Sequence, residues 1–169
     1  MLLTIFSRPR FILALIGLTC VGLLSFGLYL QHVVGLEPCP MCIVQRYALV
    51  LIALVATLGC FWSGQLITLA IGCTLLGLSA GGAYVAARQS WLQLYPPEVV
   101  SCGRDFYGMI ETFPLKTAIP MIFRGGGDCS QVDWTFLGGS IANWSFVTFI
   151  GLGLSAIVCL WASRAIKKL

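Results

Sequence analysis

Charge is what this sequence has least of. Lysine, arginine, aspartate and glutamate make up 9% of its 169 residues, and His32 is the only histidine. An ordinary soluble domain carries about 25% charged residues, so this chain is too poor in charge to coat a water-exposed surface. A single histidine also excludes a haem held between two histidines, and there is no CxxCH attachment site. No GxGxxG stands in a strand–helix setting to cradle a dinucleotide. Internal repeats and low-complexity tracts are missing as well. The net charge of +4 is not gathered into a basic patch, which leaves no sign of nucleic-acid binding.

What the chain has in abundance is apolar sequence: 59% of its residues are hydrophobic. They collect in four runs, Phe11 to Leu30, Ile43 to Trp62, Leu66 to Ala87 and Trp144 to Ser163. Each is about 20 residues long, enough at about 1.5 Å per residue to span a hydrocarbon layer of roughly 30 Å. Only Arg46 breaks them with a charge, near one end of its run. The first run follows Arg8 and Arg10 as a signal peptide would, but it is too long for one and no small-x-small cleavage site follows it before Gln31. Gly17, Leu18 and Thr19 make a poor lipobox before Cys20. The expected fold is an all-α integral membrane protein, one domain over residues 1–169 built as a bundle of four transmembrane helices.

The few charges orient it. Arg8, Arg10, Arg164, Lys167 and Lys168 mark the two ends, and the turn between the second and third runs has no charge. All six acids, Glu37, Glu98, Asp105, Glu111, Asp128 and Asp133, fall in the other two connections. Positive-inside reasoning places both termini in the cytoplasm and those connections outside, as a short loop over 31–42 and a long loop over 88–143. Pro96-Pro97, Pro114, Pro120 and the glycines at 125–127 and 138–139 break the long loop. Its stretch from Pro114 to Arg124 reads as a short segment lying on the membrane surface or as an irregular loop with chance apolar residues. Gly77, Gly81, Gly82, Gly151 and Gly153 suit close packing between helices.

The eight cysteines form two populations. Cys20, Cys60, Cys73 and Cys159 lie in apolar runs, where a cysteine is usually a small hydrophobe. Cys39, Cys42, Cys102 and Cys129 lie in the outer loops or at their edges, where disulfides persist. Cys39-Pro40-Met41-Cys42 is a CxxC, the unit of thiol–disulfide exchange, and spacing then leaves Cys102 to Cys129. A structural bond between those two would contribute about 3 kcal/mol or more through chain entropy. A CxxC bond closes almost no loop, so stability does not account for it. Zinc is disfavoured because Cys102 and Cys129 lack the second CxxC of a zinc ribbon, and no other metal set is expected.

The position of the CxxC strengthens it. Pro40 suits the first turn of a helix, which puts Cys39 near the cap and Cys42 in the first turn, where the helix dipole favours thiolate. Arg46 follows Cys42 by one turn on the same face. A guanidinium just inside the apolar layer is costly; it either snorkels to the interface or serves a thiolate and a molecule bound beside it. Two cysteine pairs can pass two electrons along but not dispose of them. An acceptor dissolved in the membrane fits best, and a quinone takes two electrons and two protons.

These residues resemble the DsbB family, quinone-dependent disulfide-generating proteins of the bacterial inner membrane, over nearly the whole chain. The stretches that carry the resemblance are Gln31-His32-Val33, the Cys39–Cys42 motif with Arg46, Leu92-Gln93-Leu94-Tyr95-Pro96, Cys102, and Gly127-Asp128-Cys129 leading to Trp134-Thr135-Phe136-Leu137-Gly138. The resemblance implies periplasmic outer loops, a DsbA-like periplasmic thiol oxidase as partner, and ubiquinone or menaquinone from the membrane pool. It implies that Cys102 and Cys129 face the partner, that Cys39 and Cys42 face the quinone, and that Arg46 is the quinone-side arginine. Two positions depart from it. Some members carry a histidine thirteen residues before the third redox cysteine, where this chain has Gln89; an amide can hydrogen-bond a quinone carbonyl but is no acid or base. The residue before the arginine, acidic in some members, is Gln45. Both bear on quinone preference, and neither touches the cysteines. His32 reads as a packing or interface residue.

Two other functions compete. A reductase passing electrons outward would need redox cysteines within the helices, for which Cys60 and Cys73, flanking the inner turn, are the candidates. A scaffold with purely structural disulfides would leave Arg46 incidental.

Overall fold

The computed structural model describes residues 9–62, 64–96 and 127–165, with the single positions 116 and 120. Four long helices dominate: α1 (Pro9–His32), α2 (Pro40–Phe61), α3 (Gln65–Leu94) and, last in the chain, α5 (Ile141–Ala165). All four are long and apolar enough to cross a membrane. They form a ring in which α1 packs on α2, α2 on α3, α3 on α5 and α5 back on α1. The seam holds Ile16, Cys20, Ile52, Ala56, Leu75, Phe149, Leu152 and Ala156. The outer faces are as apolar as the core: Leu18, Phe61, Leu66 and Trp161 are at least 70% exposed. In water such a surface would drive aggregation; lipid is its natural solvent.

The third helix runs past the apolar stretch that announced it. It continues beyond Ala87 through Arg88, Gln89, Ser90 and Gln93 to Leu94, so residues 88–94 are helix and not loop. The polar side chains end the hydrophobic signal without breaking the backbone. Pro96 does break it, because the residue before a proline is driven out of the α region; Tyr95 caps the helix at φ −129° and ψ 77°.

Close packing falls on Gly82, as the sequence suggested, and on Gly72, which it did not single out. A Cβ at Gly82 would collide with the Phe149 ring and one at Gly72 with Leu160, so both let α5 approach α3. Gly77, Gly81 and Gly151 have nothing within 4 Å of such a Cβ, and Gly153 makes only ordinary contact with Ser79.

At the outer end the chain folds back onto the bundle. The single-turn helix α4 (Gly127–Ser130) packs against α3. It is followed by a hairpin of β1 (Thr135–Phe136) and β2 (Gly139–Ser140), with Thr135 opposite Ser140 and Phe136 opposite Gly139. Leu137 and Gly138 turn the hairpin at φ 50° and 79°, the left-handed geometry that two-residue turns require. Ser140 Oγ donates to Gln93 Oε1 at 2.6 Å, and Gln93 Nε2 donates to the Gln131 carbonyl at 3.4 Å. The polar extension of α3 is thus the post to which the end of the long loop is tied. The Pro114–Arg124 segment and Cys102 lie outside the described residues, apart from the single positions 116 and 120.

Candidate functional site

The site grows from the first turn of α2. Cys39 is its N-cap, in extended conformation at φ −65° and ψ 159°, and Pro40 opens the helix. The first amides of a helix lack partners, and here the Cys39 sulfur accepts one, the N–H of Cys42, at 3.3 Å. That turn brings the two sulfurs to 2.7 Å, with Cys39 Sγ donating to Cys42 Sγ. Cys129, wholly buried on α4, reaches the same place and hydrogen-bonds Cys39. The bonds to Cys129 and Cys42, followed by burial, push the Cys39 thiol well above the ordinary thiol range. Three sulfurs from two separate segments meet at one point, with Cys39 in the middle. Met41, Val85 and Leu92 pack around them.

Two buried amides flank the sulfurs. Gln89 Nε2 donates to Cys39 Sγ and to Cys42 Sγ, at 3.3 Å each. Its Oε1 accepts from Gln45 Nε2 at 2.7 Å. One turn deeper, Arg46 is half-buried and spans the gap between α2 and α1. Its Nη1 donates to Gln31 Oε1 and its Nη2 to the Gly27 carbonyl at 3.0 Å.

A cavity of about 550 Å³ opens beside this cluster. Leu23, Phe26, Leu30, Leu49 and Phe149 give it apolar walls, while Cys39, Cys42, Gln45, Arg46 and Gln89 form its polar end. An aromatic chain covers it on the hairpin side: Phe26 meets Trp134 edge-on at 5.9 Å, Trp134 stacks on Phe136 at 6.0 Å, and Phe136 leans on Trp144 at 6.1 Å. Trp144 Nε1 donates to the Phe136 carbonyl at 2.9 Å and locks the hairpin to α5.

Of the residues singled out from the sequence, Cys39, Cys42, Cys129, Arg46 and Gln89 come together, and Cys102 lies outside the described residues. Gln89 stands on a helix where a loop residue was expected, and from the cavity wall it directs its donors to the sulfurs. His32 is exposed at the end of α1. Gln31 and the Trp134–Phe136 pair were not read as site residues, and Gln45 was singled out only as a departure bearing on quinone preference. An amide inside an apolar run was a usable signal for Gln45; nothing short of the folded hairpin marks the aromatic pair. Cys60 turns its sulfur toward the carbonyls of Ala56 and of Arg10 on α1, whereas Cys73 is exposed on α3.

A membrane-embedded bundle that gathers cysteines from separate segments at one end, against a polar-tipped apolar cavity, defines a membrane protein of thiol–disulfide redox chemistry. Comparison with known sequences narrows the class. The chain belongs to the DsbB family, disulfide bond formation protein DsbB, whose sequence profile matches residues 9–159. It is 68% identical over 157 residues to a disulfide bond formation protein B of Polaromonas naphthalenivorans, covering 93% of this chain and 94% of that one. A protein of the same name from Albidiferax ferrireducens is 66% identical over 155 residues, 92% of this chain and 89% of the relative. Another from Aromatoleum aromaticum is 53% identical over 160 residues, covering 94% and 96%. Its general activity is therefore that of a multi-pass membrane oxidoreductase of disulfide formation.

Proposed function

We propose that this protein oxidises the dithiol of a periplasmic, thioredoxin-like partner of DsbA type and delivers the two electrons to ubiquinone or menaquinone. It does so from the bacterial inner membrane, with both termini in the cytoplasm and both cysteine-bearing loops in the periplasm. The observation that carries this reading is the meeting of Cys39, Cys42 and Cys129 at the polar end of an apolar cavity beside Arg46.

The cavity suits a quinone. Its apolar walls match an isoprenoid-bearing ring, and a ring carbonyl needs a donor at the polar end. Two N–H groups of Arg46 are committed to Gln31 and Gly27, and a guanidinium has five. Arg46 would hold the carbonyl while the apolar walls exclude water. A quinone bound there supplies the electron sink, taking up two electrons and two protons.

The exchange steps belong to the cysteines. A partner thiolate attacks Cys102 of a Cys102–Cys129 bond and releases Cys129. Cys129 then attacks Cys39, and Cys42 leaves as a thiolate. The partner's second thiol displaces Cys102, so the partner departs oxidised. Return of Cys102 to Cys129 releases Cys39, and the electron pair rests on Cys39 and Cys42. Each exchange makes one S–S bond and breaks one.

The test is oxidation of a reduced thioredoxin-like partner by purified protein. Loss of partner thiols should require added quinone, with two thiols (one dithiol) lost for each quinone reduced. Oxidation indifferent to quinone would overturn the electron route, and no oxidation would leave a scaffold. The cysteines within the helices provide a second check. Replacing Cys20, Cys60, Cys73 and Cys159 together by Ala should leave most of the turnover intact. Ala is preferred to Ser because Cys20 and Cys159 are wholly buried and a hydroxyl there would need a partner. Lost turnover with normal folding would favour a reductase working through those thiols.

A further inference from the structure

We propose that Gln45 is a positioning residue that holds the Gln89 amide with its N–H groups on both sulfurs of Cys39 and Cys42, so that two uncharged side chains set the redox balance of that pair. This deepens the reading above and rests on Cys39–Cys42 being the inner pair of the relay.

A glutamine side chain has two unlike ends, an oxygen that only accepts and a nitrogen that only donates. Gln45 Nε2 occupies the Gln89 oxygen at 2.7 Å, which leaves Gln89 Nε2 to both sulfurs at 3.3 Å. Turning Gln89 alone would set nitrogen against nitrogen. Turning both amides would press a carbonyl oxygen on a sulfur that carries negative charge. Gln45 and Gln89 are 4% and 3% exposed, so water cannot repair either mismatch.

The consequence falls on one redox state. A thiolate accepts these bonds strongly, while a disulfide sulfur carries no charge and accepts weakly. Donors fixed on the sulfurs therefore favour the reduced pair and make its disulfide a stronger oxidant. Stabilisation of the reduced form is how a dithiol becomes oxidising in general. Other groups near the sulfurs are few. Arg46 lies one turn deeper on α2, Cys129 comes from α4, and Glu37 and Asp133 stand on the cavity wall. Among the described residues, α1, α3 and α5 contribute no charged side chain to that wall.

The experiment equilibrates the full-length protein with glutathione buffers in the absence of quinone. The reaction is balanced: the Cys39–Cys42 bond and two glutathione thiols give two cysteine thiols and one glutathione disulfide. The oxidised fraction of the pair is read by differential alkylation and peptide mapping. Gln45→Leu keeps the volume and loses the donor, and its equilibrium should shift about tenfold toward the Cys39–Cys42 disulfide, the scale of one hydrogen bond to a charged group.

Gln45→Glu is nearly isosteric and separates positioning from packing. A protonated carboxyl still donates to Gln89 Oε1, so at low pH the variant should match the wild type measured at the same pH. Once ionised it only accepts, turns Gln89 Nε2 away from the sulfurs, and should move to the Gln45→Leu value. Wild type has no titratable group at this position, so the variant-to-wild-type ratio should show one added step with pH. An unchanged equilibrium in Gln45→Leu, or a Gln45→Glu ratio flat with pH, would overturn the proposal. The glutathione equilibrium needs no quinone, so a failure of quinone-dependent turnover would refute the electron route and leave this measurement standing.

Discussion

A partner stripped of its second cysteine should freeze the relay halfway, with the partner on Cys102, Cys39 joined to Cys129, and Cys42 the one thiol among the four relay cysteines left open to alkylation. The reaction starts from two disulfides in this protein and one thiol on the partner. It ends with two disulfides and one thiol, so no added oxidant is needed. Geometry selects the middle bond. Cys129 hydrogen-bonds Cys39, and Cys39 is the sulfur between the other two. Leaving-group chemistry points the same way, because exchange is faster when the departing sulfur is the more acidic one. Cys39 is held well above the ordinary thiol range by Cys129, Cys42 and burial, which makes it the poorer leaving group and the sulfur to be struck. Cys42 departs toward the cavity and Arg46. Without quinone, the frozen species should account for most of the protein, and Cys42→Ser should abolish quinone-dependent turnover outright. Peptide mapping that finds the partner on Cys39, or an intact Cys39–Cys42 bond beside an alkylated Cys129, would refute the order.

Arg46→Ala should raise the apparent KM for quinone by roughly tenfold to a hundredfold, the range expected for losing a charge-assisted hydrogen bond. The KM for the partner should change little, since the proposed relay engages the partner at the long loop. Arg46→Lys keeps the charge but offers no planar fork, and should fall between wild type and Ala. Arg46 also ties α2 to α1 through Gln31 and the Gly27 carbonyl, so a loosened bundle could mimic the effect. Gln31→Ala removes one of those ties and keeps the guanidinium. It should leave the quinone KM within about twofold of wild type, as expected when a packing tie alone is lost. Unaltered quinone kinetics in Arg46→Ala would make the arginine an interfacial anchor.

The bundle was legible because lipid removes ambiguity. A run such as Phe11 to Leu30 has no soluble alternative at that length, and Pro40 announced where α2 begins. The sulfur pair was legible for the same local reason, since CxxC chemistry is written in adjacent residues. What stayed hidden was long-range or polar. Residues 88–94 lose their hydrophobic signal while keeping helical backbone, and that hid the position from which Gln89 reaches the sulfurs. The partnership of Gln45 with Gln89 joins two helices across 44 positions of sequence, a pairing that no local pattern records. Glycine packing was read correctly at Gly82 but not at Gly77, Gly81 and Gly151, because a glycine in a helix says only that the backbone can be approached. Which face is approached depends on where Phe149 and Leu160 fall on the neighbouring helix.

Helix ends are ordinarily closed by serine or aspartate, side chains that take no part in chemistry. The sulfur that closes α2 is the one the proposed relay attacks. While Cys39 is bonded to Cys129 its sulfur is neutral and doubly substituted, a weak acceptor for the amide of Cys42. In the proposed relay this capping bond would be weak whenever Cys39 is held in a disulfide and strong once Cys39 is released. Each catalytic cycle would thus loosen and tighten one peptide group, and exchange of the Cys42 amide proton would report whether the Cys39 sulfur is free or held in a disulfide.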